Sequence, residues 1–212
     1  QGVVIIAIDG PAAAGKGTLA RRLAEHFGLV MLDTGLLYRA VGLKALCGGA
    51  DPSDAEVAVR AARSLSPSDL EGAALRSEEA ALAASKVGAI AAVRAVLLEF
   101  QRSFANTPPG AVIDGRDIGT QVCPDADVKI FVTARPEVRA RRRLKELRDR
   151  GVDAIHGRVL QDMKERDARD VERDVAPLKP AEDAFVLDTG DMDADAVFAT
   201  ALDFITSRDR FG

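Results

Sequence analysis

The sequence predicts an α/β protein built on one five-stranded parallel sheet with helices on both faces. Three observations carry this. Short apolar runs recur along the chain: Val3–Ile8, Leu29–Leu32, Ala111–Ile113, Val128–Val132 and Phe185–Leu187. Runs of that length without polar alternation suit strands buried on both faces. Helical spacing fills the intervals, as in Leu19, Leu23 and Phe27, and in Val197, Leu202 and Ile205 near the end; strands alternating with helices make a parallel sheet. Each run also gives way to a polar or turn-forming cluster: Gly10–Gly17, Asp33-Thr34-Gly35, Asp114-Gly115-Arg116-Asp117, Arg135-Pro136 and Asp188-Thr189-Gly190. In such sheets ligands bind beyond the carboxyl ends of the strands, where all five clusters fall.

The alternation is interrupted twice. Residues 36–94 are rich in alanine and mostly helical in pattern, with a turn or loop over Ser64–Asp69, and they read as an insert. Residues 143–176 are rich in charge and read as a short lid. The core is then 1–35, 95–142 and 177–212, all within one unit of 212 residues, large enough to bury a core of its own.

Composition narrows the function. Val3–Ile8 falls far short of the ~20 apolar residues that span a bilayer, and no basic stretch precedes it, so neither a membrane span nor a signal peptide is expected. Cys47 and Cys123 do not form a CxxC pair, and His26 and His156 lie far apart, which leaves zinc sites and histidine-based triads unsupported. Two reduced thiols suit the cytoplasm. The net charge is −4, yet 22 of the 29 cations are arginine, and half of those fall between Arg135 and Arg173. Arginine's planar fork binds phosphate oxygens in pairs. A basic cluster on an acidic chain suits a small anion better than a nucleic acid.

Residues Gly10-Pro11-Ala12-Ala13-Ala14-Gly15-Lys16-Gly17-Thr18 follow a strand and open a helix. Glycines there let backbone N–H groups curl around phosphate oxygens, and the helix points its positive end at the same anion. Lys16 reaches the outer phosphates. Gly17 replaces the usual hydroxyl residue after the lysine, so Thr18 stands one place late as a metal ligand. Asp114, at the end of a strand, suits either a Mg²⁺-steering carboxylate or a turn aspartate. In a helix, Arg166, Arg169, Asp170 and Arg173 share one face; that stripe suits an anion site or a salt-bridged surface. No catalytic base stands out. A phosphate monoester has its second pKa near ~6 and is already nucleophilic at neutral pH, so transfer needs alignment and charge stabilisation.

Together these segments resemble the bacterial cytidylate kinase family. The resemblance is carried by Ile8-Asp9-Gly10-Pro11 with Gly15-Lys16-Gly17-Thr18, and by Leu32 through Arg39. It continues through Ala83-Ala84-Ser85-Lys86-Val87, Val93-Arg94, Ile113 through Gly119 and Pro124 through Phe131. It ends with Lys164-Glu165-Arg166-Asp167 and Val175 through Leu178. It implies the fold of a nucleoside monophosphate kinase with a phosphate loop, here with a helical nucleotide-binding insert. Some relatives carry a small β-sheet in that insert, for which this chain has no room.

The resemblance further implies phosphorylation of CMP, and of dCMP, by ATP with Mg²⁺, in a cytoplasmic monomer without nucleic acid or membrane partners. Thr34, Arg39, Arg116 and Arg173 would hold the acceptor phosphate, with Tyr38 beside them. Ser85, Arg94 and Asp117 would read the cytosine edge, and Arg166 and Asp170 would contact the sugar. Asp114 would act near Mg²⁺, through water. Arg142 and Arg143 would reach ATP beside the phosphate loop. Another small-molecule kinase shares the loop but leaves Ser85, Arg94 and the Asp114–Asp117 cluster unexplained. A nucleotide switch would bind ATP without turnover, and a nucleic-acid ATPase sits badly with the acidic charge.

Overall fold

The computed structural model describes residues 2–208; the outermost residues of the expected core, 1 and 209–212, lie outside the described residues. Five strands form one parallel sheet: β1 (Val4–Asp9), β2 (Val30–Asp33), β3 (Gly110–Gly115), β4 (Val128–Thr133) and β5 (Phe185–Asp188), in the order β2-β3-β1-β4-β5. Each falls on one of the five apolar runs. Most extend one or two residues into the polar cluster that follows, so the functional side chains begin on the sheet itself.

Alternate residues of β1 explain the two layers. Ile6 and Ile8 pack with α1 (Lys16–Phe27) and α8 (Ala194–Thr206), whose Leu19, Leu23, Val197 and Ile205 cover that face. Ala7 faces the other way, with Ile113, Ile118 and Ala105 from the end of α5 (Ala91–Ala105). Full burial of Ile6, Ile8 and Ile113 is why these strands read as continuous apolar runs.

The insert is helical: α2 (Thr34–Cys47), α3 (Ala55–Arg63) and α4 (Glu78–Gly88), with short 3₁₀ turns at Pro67–Leu70 and Ala73–Arg76. No strand occurs within it among the described residues. Leu37, Val41, Ala61, Val87, Val93 and Leu97 give it a core of its own. In the charged region, α6 (Pro136–Asp149) and α7 (His156–Glu172) pack together, joined by 150–155. No single described helix is long and apolar enough to cross a membrane.

Helices α2 and α4 meet where side chains are smallest. A Cβ added to Gly42 would stand 2.6 Å from the Ala83 Cβ and 2.9 Å from its carbonyl carbon, inside contact distance. That close approach sets the spacing of Tyr38 and Arg39 on α2 against Ser85 on α4. Gly42→Ala is therefore expected to destabilise the protein by about 1–3 kcal/mol, read as a fall of roughly 2–4 °C in Tm per kcal/mol. An unchanged melting temperature would contradict this packing.

Candidate active site

The phosphate loop leaves β1 at Gly10, where the backbone takes φ 149° and a Cβ would lie 2.0 Å from the Val132 carbonyl oxygen. Only glycine passes this close to β4. Ala13 has φ 57° and Gly15 φ 98°, and alternation of this kind turns successive N–H groups toward one concavity. Lys16 opens α1, is 6% exposed, and donates to the Pro11 carbonyl at 2.9 Å. Burial, helped by nearby Arg116, pulls its ammonium below the ordinary lysine range, against the pull of Asp114. Asp114 Oδ1 stands 4.0 Å from Lys16 Nζ, and burial pushes that carboxyl well up despite the lysine.

Arg142 is tied to the phosphate loop through Thr189. Its guanidinium donates to the Thr189 hydroxyl at 2.9 Å and to the Thr189 carbonyl, and Thr189 Oγ1 in turn donates to the Ala14 carbonyl of the loop at 2.9 Å. Arg143 follows it on α6, and neighbours on a helix point about 100° apart. It turns to the insert instead and pairs with Glu78 at the start of α4 and with Glu146.

Beside Lys16, one pocket is lined by Thr34, Tyr38, Ser85, Arg94, Arg116, Asp117, Arg166, Asp170 and Arg173. Four segments far apart in sequence supply them. Thr34 donates its hydroxyl to the Asp114 carbonyl at 2.8 Å. Arg94 is buried, with Nη1 on the Gly88 carbonyl at 2.9 Å, Nη2 on Asp117 Oδ2 at 2.5 Å, and the guanidinium 5.2 Å from the Tyr38 ring centroid. Arg39 does not line the pocket; it donates to the Leu75 carbonyl of the insert at 2.9 Å.

The α7 stripe is the electrostatic centre. Asp170 accepts from Arg116 Nε at 3.2 Å and lies 3.7 Å from Arg173 Nη1. Burial alone would raise its carboxyl, but Arg116, Arg166 and Arg173 outweigh that and hold it low. One carboxylate thus faces three guanidiniums. Arg166 Nε and Arg173 Nη2 are buried with no hydrogen-bond partner among the described residues. Burial, reinforced by Arg116, brings Arg166 down to about 9. Buried polar groups are normally satisfied, and two unsatisfied guanidinium nitrogens over one pocket fit an anion.

Sequence reasoning missed some of the support. Arg169, on the same stripe, donates Nε to Ser85 Oγ at 3.0 Å and so joins α7 to α4; its spacing was visible, its partner was not. Arg139 is 3% exposed and ties three elements together: it donates to the Ala134 and Ala12 carbonyls and bonds both oxygens of Asp167. Asp9 is buried too. No group of three or more His, Cys, Asp or Glu side chains suited to a metal occurs among the described residues.

Comparison with known proteins places the sequence and the fold. The sequence profile of the family described as cytidylate kinase matches residues 6–207. A cytidylate kinase of Paramagnetospirillum magneticum is 65% identical over 207 residues, covering 96% of this chain and 98% of the relative. One from Rhodospirillum rubrum is 58% identical over 209 residues, covering 97% and 98%. Among solved structures, a gluconokinase from Sinorhizobium meliloti shares the fold at TM-score 0.51 and 14% identity, covering 96% of this chain and 92% of its own.

The like charges leave a testable signature. Arg166→Met removes one of three guanidiniums crowded on a single carboxylate, with a buried and unbonded Nε, and is expected to raise the melting temperature in anion-free buffer, because an apolar side chain of similar length avoids the burial penalty. Millimolar sulfate is expected to stabilise the wild type more than this variant. A variant that melts lower, and responds to sulfate as fully as the wild type, would show that Arg166 does not face the anion.

Proposed function

The chain belongs to the cytidylate kinase family, and from that membership we infer that it carries out ATP-dependent phosphorylation of CMP. The observation that carries the reading is the pocket in which Arg116, Arg166 and Arg173 converge on a single carboxylate beside Lys16. A phosphate dianion withdrawn from water needs several cations with directed donors, and guanidinium forks from three positions supply them. The acceptor phosphate completes the bonds that the buried Arg166 and Arg173 nitrogens lack. Thr34 flanks it, Asp170 orients Arg116 and Arg173 with room for a sugar hydroxyl, and Arg39, held on the Leu75 carbonyl outside the pocket lining, would have to leave that bond to join them. CMP and dCMP are both accepted in this reading.

On the donor side the loop Gly10–Thr18 cradles ATP, and Lys16 leaves the Pro11 carbonyl to follow the transferred phosphoryl group. Charge moves from the leaving to the attacking oxygen in line, and fixed cations stabilise it with little reorganisation. No side chain needs to take a proton, because the acceptor arrives ionised.

Mg²⁺ fits the residues present to a limited extent. Asp114 offers one desolvated carboxylate near Lys16, and a Cβ added at Gly17 would stand in ordinary contact with Asp114 Oδ2 at 3.6 Å. One protein oxygen suits an ion that keeps waters and binds mainly through substrate phosphates. Asp114 would hold it through water, and the ion would neutralise phosphate charge.

The Arg94–Asp117 pair reads the base. Asp117 accepts from the cytosine amino group, where uracil presents an oxygen that the carboxylate repels, and Arg94 and Ser85 complete the edge. The insert 36–94 and lid 143–176 close over both nucleotides and exclude water from ATP, in a monomeric cytoplasmic enzyme.

A coupled assay of ADP formation across AMP, GMP, UMP, CMP, dCMP and shikimate tests the reading, with CMP and dCMP expected to lead. Turnover favouring AMP or shikimate would overturn it. Lys16→Ala is expected to lower kcat by at least about a hundredfold with an unchanged melting profile; a near-normal rate would remove the phosphate loop from the chemistry. Asp117→Asn is expected to lower the CMP-to-UMP ratio of kcat/KM by about tenfold or more. Equal losses on both substrates would reduce Asp117 to a support for Arg94.

A further inference from the structure

Asp9 ends β1 one residue before the phosphate loop, and none of the chemistry above uses it. Its side chain reaches across to another segment. Oδ1 accepts from the Ile118 N–H and Oδ2 from the Gly119 N–H, each at 2.8 Å. Those amides open a wide turn over Ile118–Val122, closed by Val122 N–H on the Asp117 carbonyl and Cys123 N–H on the Ile118 carbonyl. Arg116 and Asp117 stand immediately before it.

A carboxylate is the one short side chain with two acceptor oxygens and no donor. Asparagine would turn an amide N–H₂ on one of the two N–H groups, and serine could reach only one. The protein keeps this group against resistance. Asp9 is 5% exposed, and burial pushes its carboxyl up to about 6 despite the two amide bonds, with the like charge of Asp117 adding to the rise. The main chain of Asp9 has no need of it. Asp9 is paired with Gly115 of β3 and with Phe131 of β4, so the sheet fixes Gly10 and the start of the phosphate loop from both sides. The side chain and the backbone of one residue thus serve different halves of the site.

We propose that Asp9 is a positioning residue for acceptor recognition: its carboxylate holds the turn that presents Arg116 and Asp117, and through Asp117 it sets base choice. This rests on the reading of Asp117 as the group facing the cytosine amino group. The Asp9 carboxylate spends its hydrogen bonds on Ile118 and Gly119 and meets Lys16 only through a weaker charge interaction, so its loss is expected chiefly on the acceptor side, and a residue that merely supported the fold could not produce that split.

The test is steady-state kinetics of full-length Asp9→Asn with CMP, UMP and ATP, beside Asp117→Asn and a core control, Val197→Ala, on α8. Asp9→Asn is expected to raise KM for CMP and to lower the CMP-to-UMP ratio of kcat/KM by about tenfold. KM for ATP is expected to stay within about twofold. Val197→Ala is expected to lower Tm and leave the ratio alone. If Asp9→Asn keeps the ratio, or raises KM for ATP and CMP together, the proposal is overturned. If Asp117→Asn changes the ratio and Asp9→Asn does not, positioning by Asp9 fails while base reading by Asp117 stands. If Asp117→Asn keeps the ratio, both fall. Should Asp9→Asn not fold, Asp9→Ser is read in the same way; if neither folds, Asp9 serves the fold alone and the proposal is wrong.

Discussion

Three guanidiniums around one carboxylate, largely withdrawn from water, are the constraint on which the rest of this structure depends. Asp170 holds Arg116 and Arg173 in place and keeps its own negative charge against burial because Arg116, Arg166 and Arg173 surround it. The cluster remains short of anions, with two guanidinium nitrogens buried and unbonded. Such an arrangement is unfavourable in isolation. It persists because a well-packed sheet on one side and a helical insert with its own core on the other supply the stability that the site lacks.

The surrounding architecture brings that cluster to the phosphate loop. Parallel strands β1 and β3 lie side by side, so Asp9 and Asp114 end at the same edge of the sheet. Lys16 and Asp114 then sit 4.0 Å apart at the junction of the phosphate loop and the arginine-lined pocket. Arg139 spans the same junction from behind, bonding the Ala12 carbonyl of the loop and Asp167 of α7, beside Arg166. Arg169 joins α7 to the insert through Ser85, and Arg143 joins α6 to it through Glu78. Polar and ionic contacts thus tie α6 and α7 to the insert beside the arginine cluster.

What the sequence made legible follows from the range of each signal. The strands were readable because burial on both faces leaves unbroken apolar runs such as Val128–Val132. The glycine-rich loop was readable because its backbone demands are local. Arg166, Asp170 and Arg173 were readable as a stripe because helical spacing is local too. Arg139 with Asp167, Arg142 with Thr189, and Asp9 with the amides of Ile118 and Gly119 were not, since each joins residues far apart in sequence that carry no pattern of their own. The Gly42–Ala83 contact is a further case: among many small residues in an alanine-rich insert, only the tertiary packing picks out the pair that touches.

The central claim is that the α7 arginines complete themselves on a phosphate dianion. The most direct measurement is a pH titration of the phosphorus resonance of CMP bound to the protein. Free phosphate monoesters take up their second proton near ~6. Several guanidinium donors favour the dianion and should hold the bound group ionised to lower pH, so the account predicts a downward-shifted titration that moves back toward the free value in Arg173→Met. A bound phosphate that titrates like the free nucleotide would contradict it.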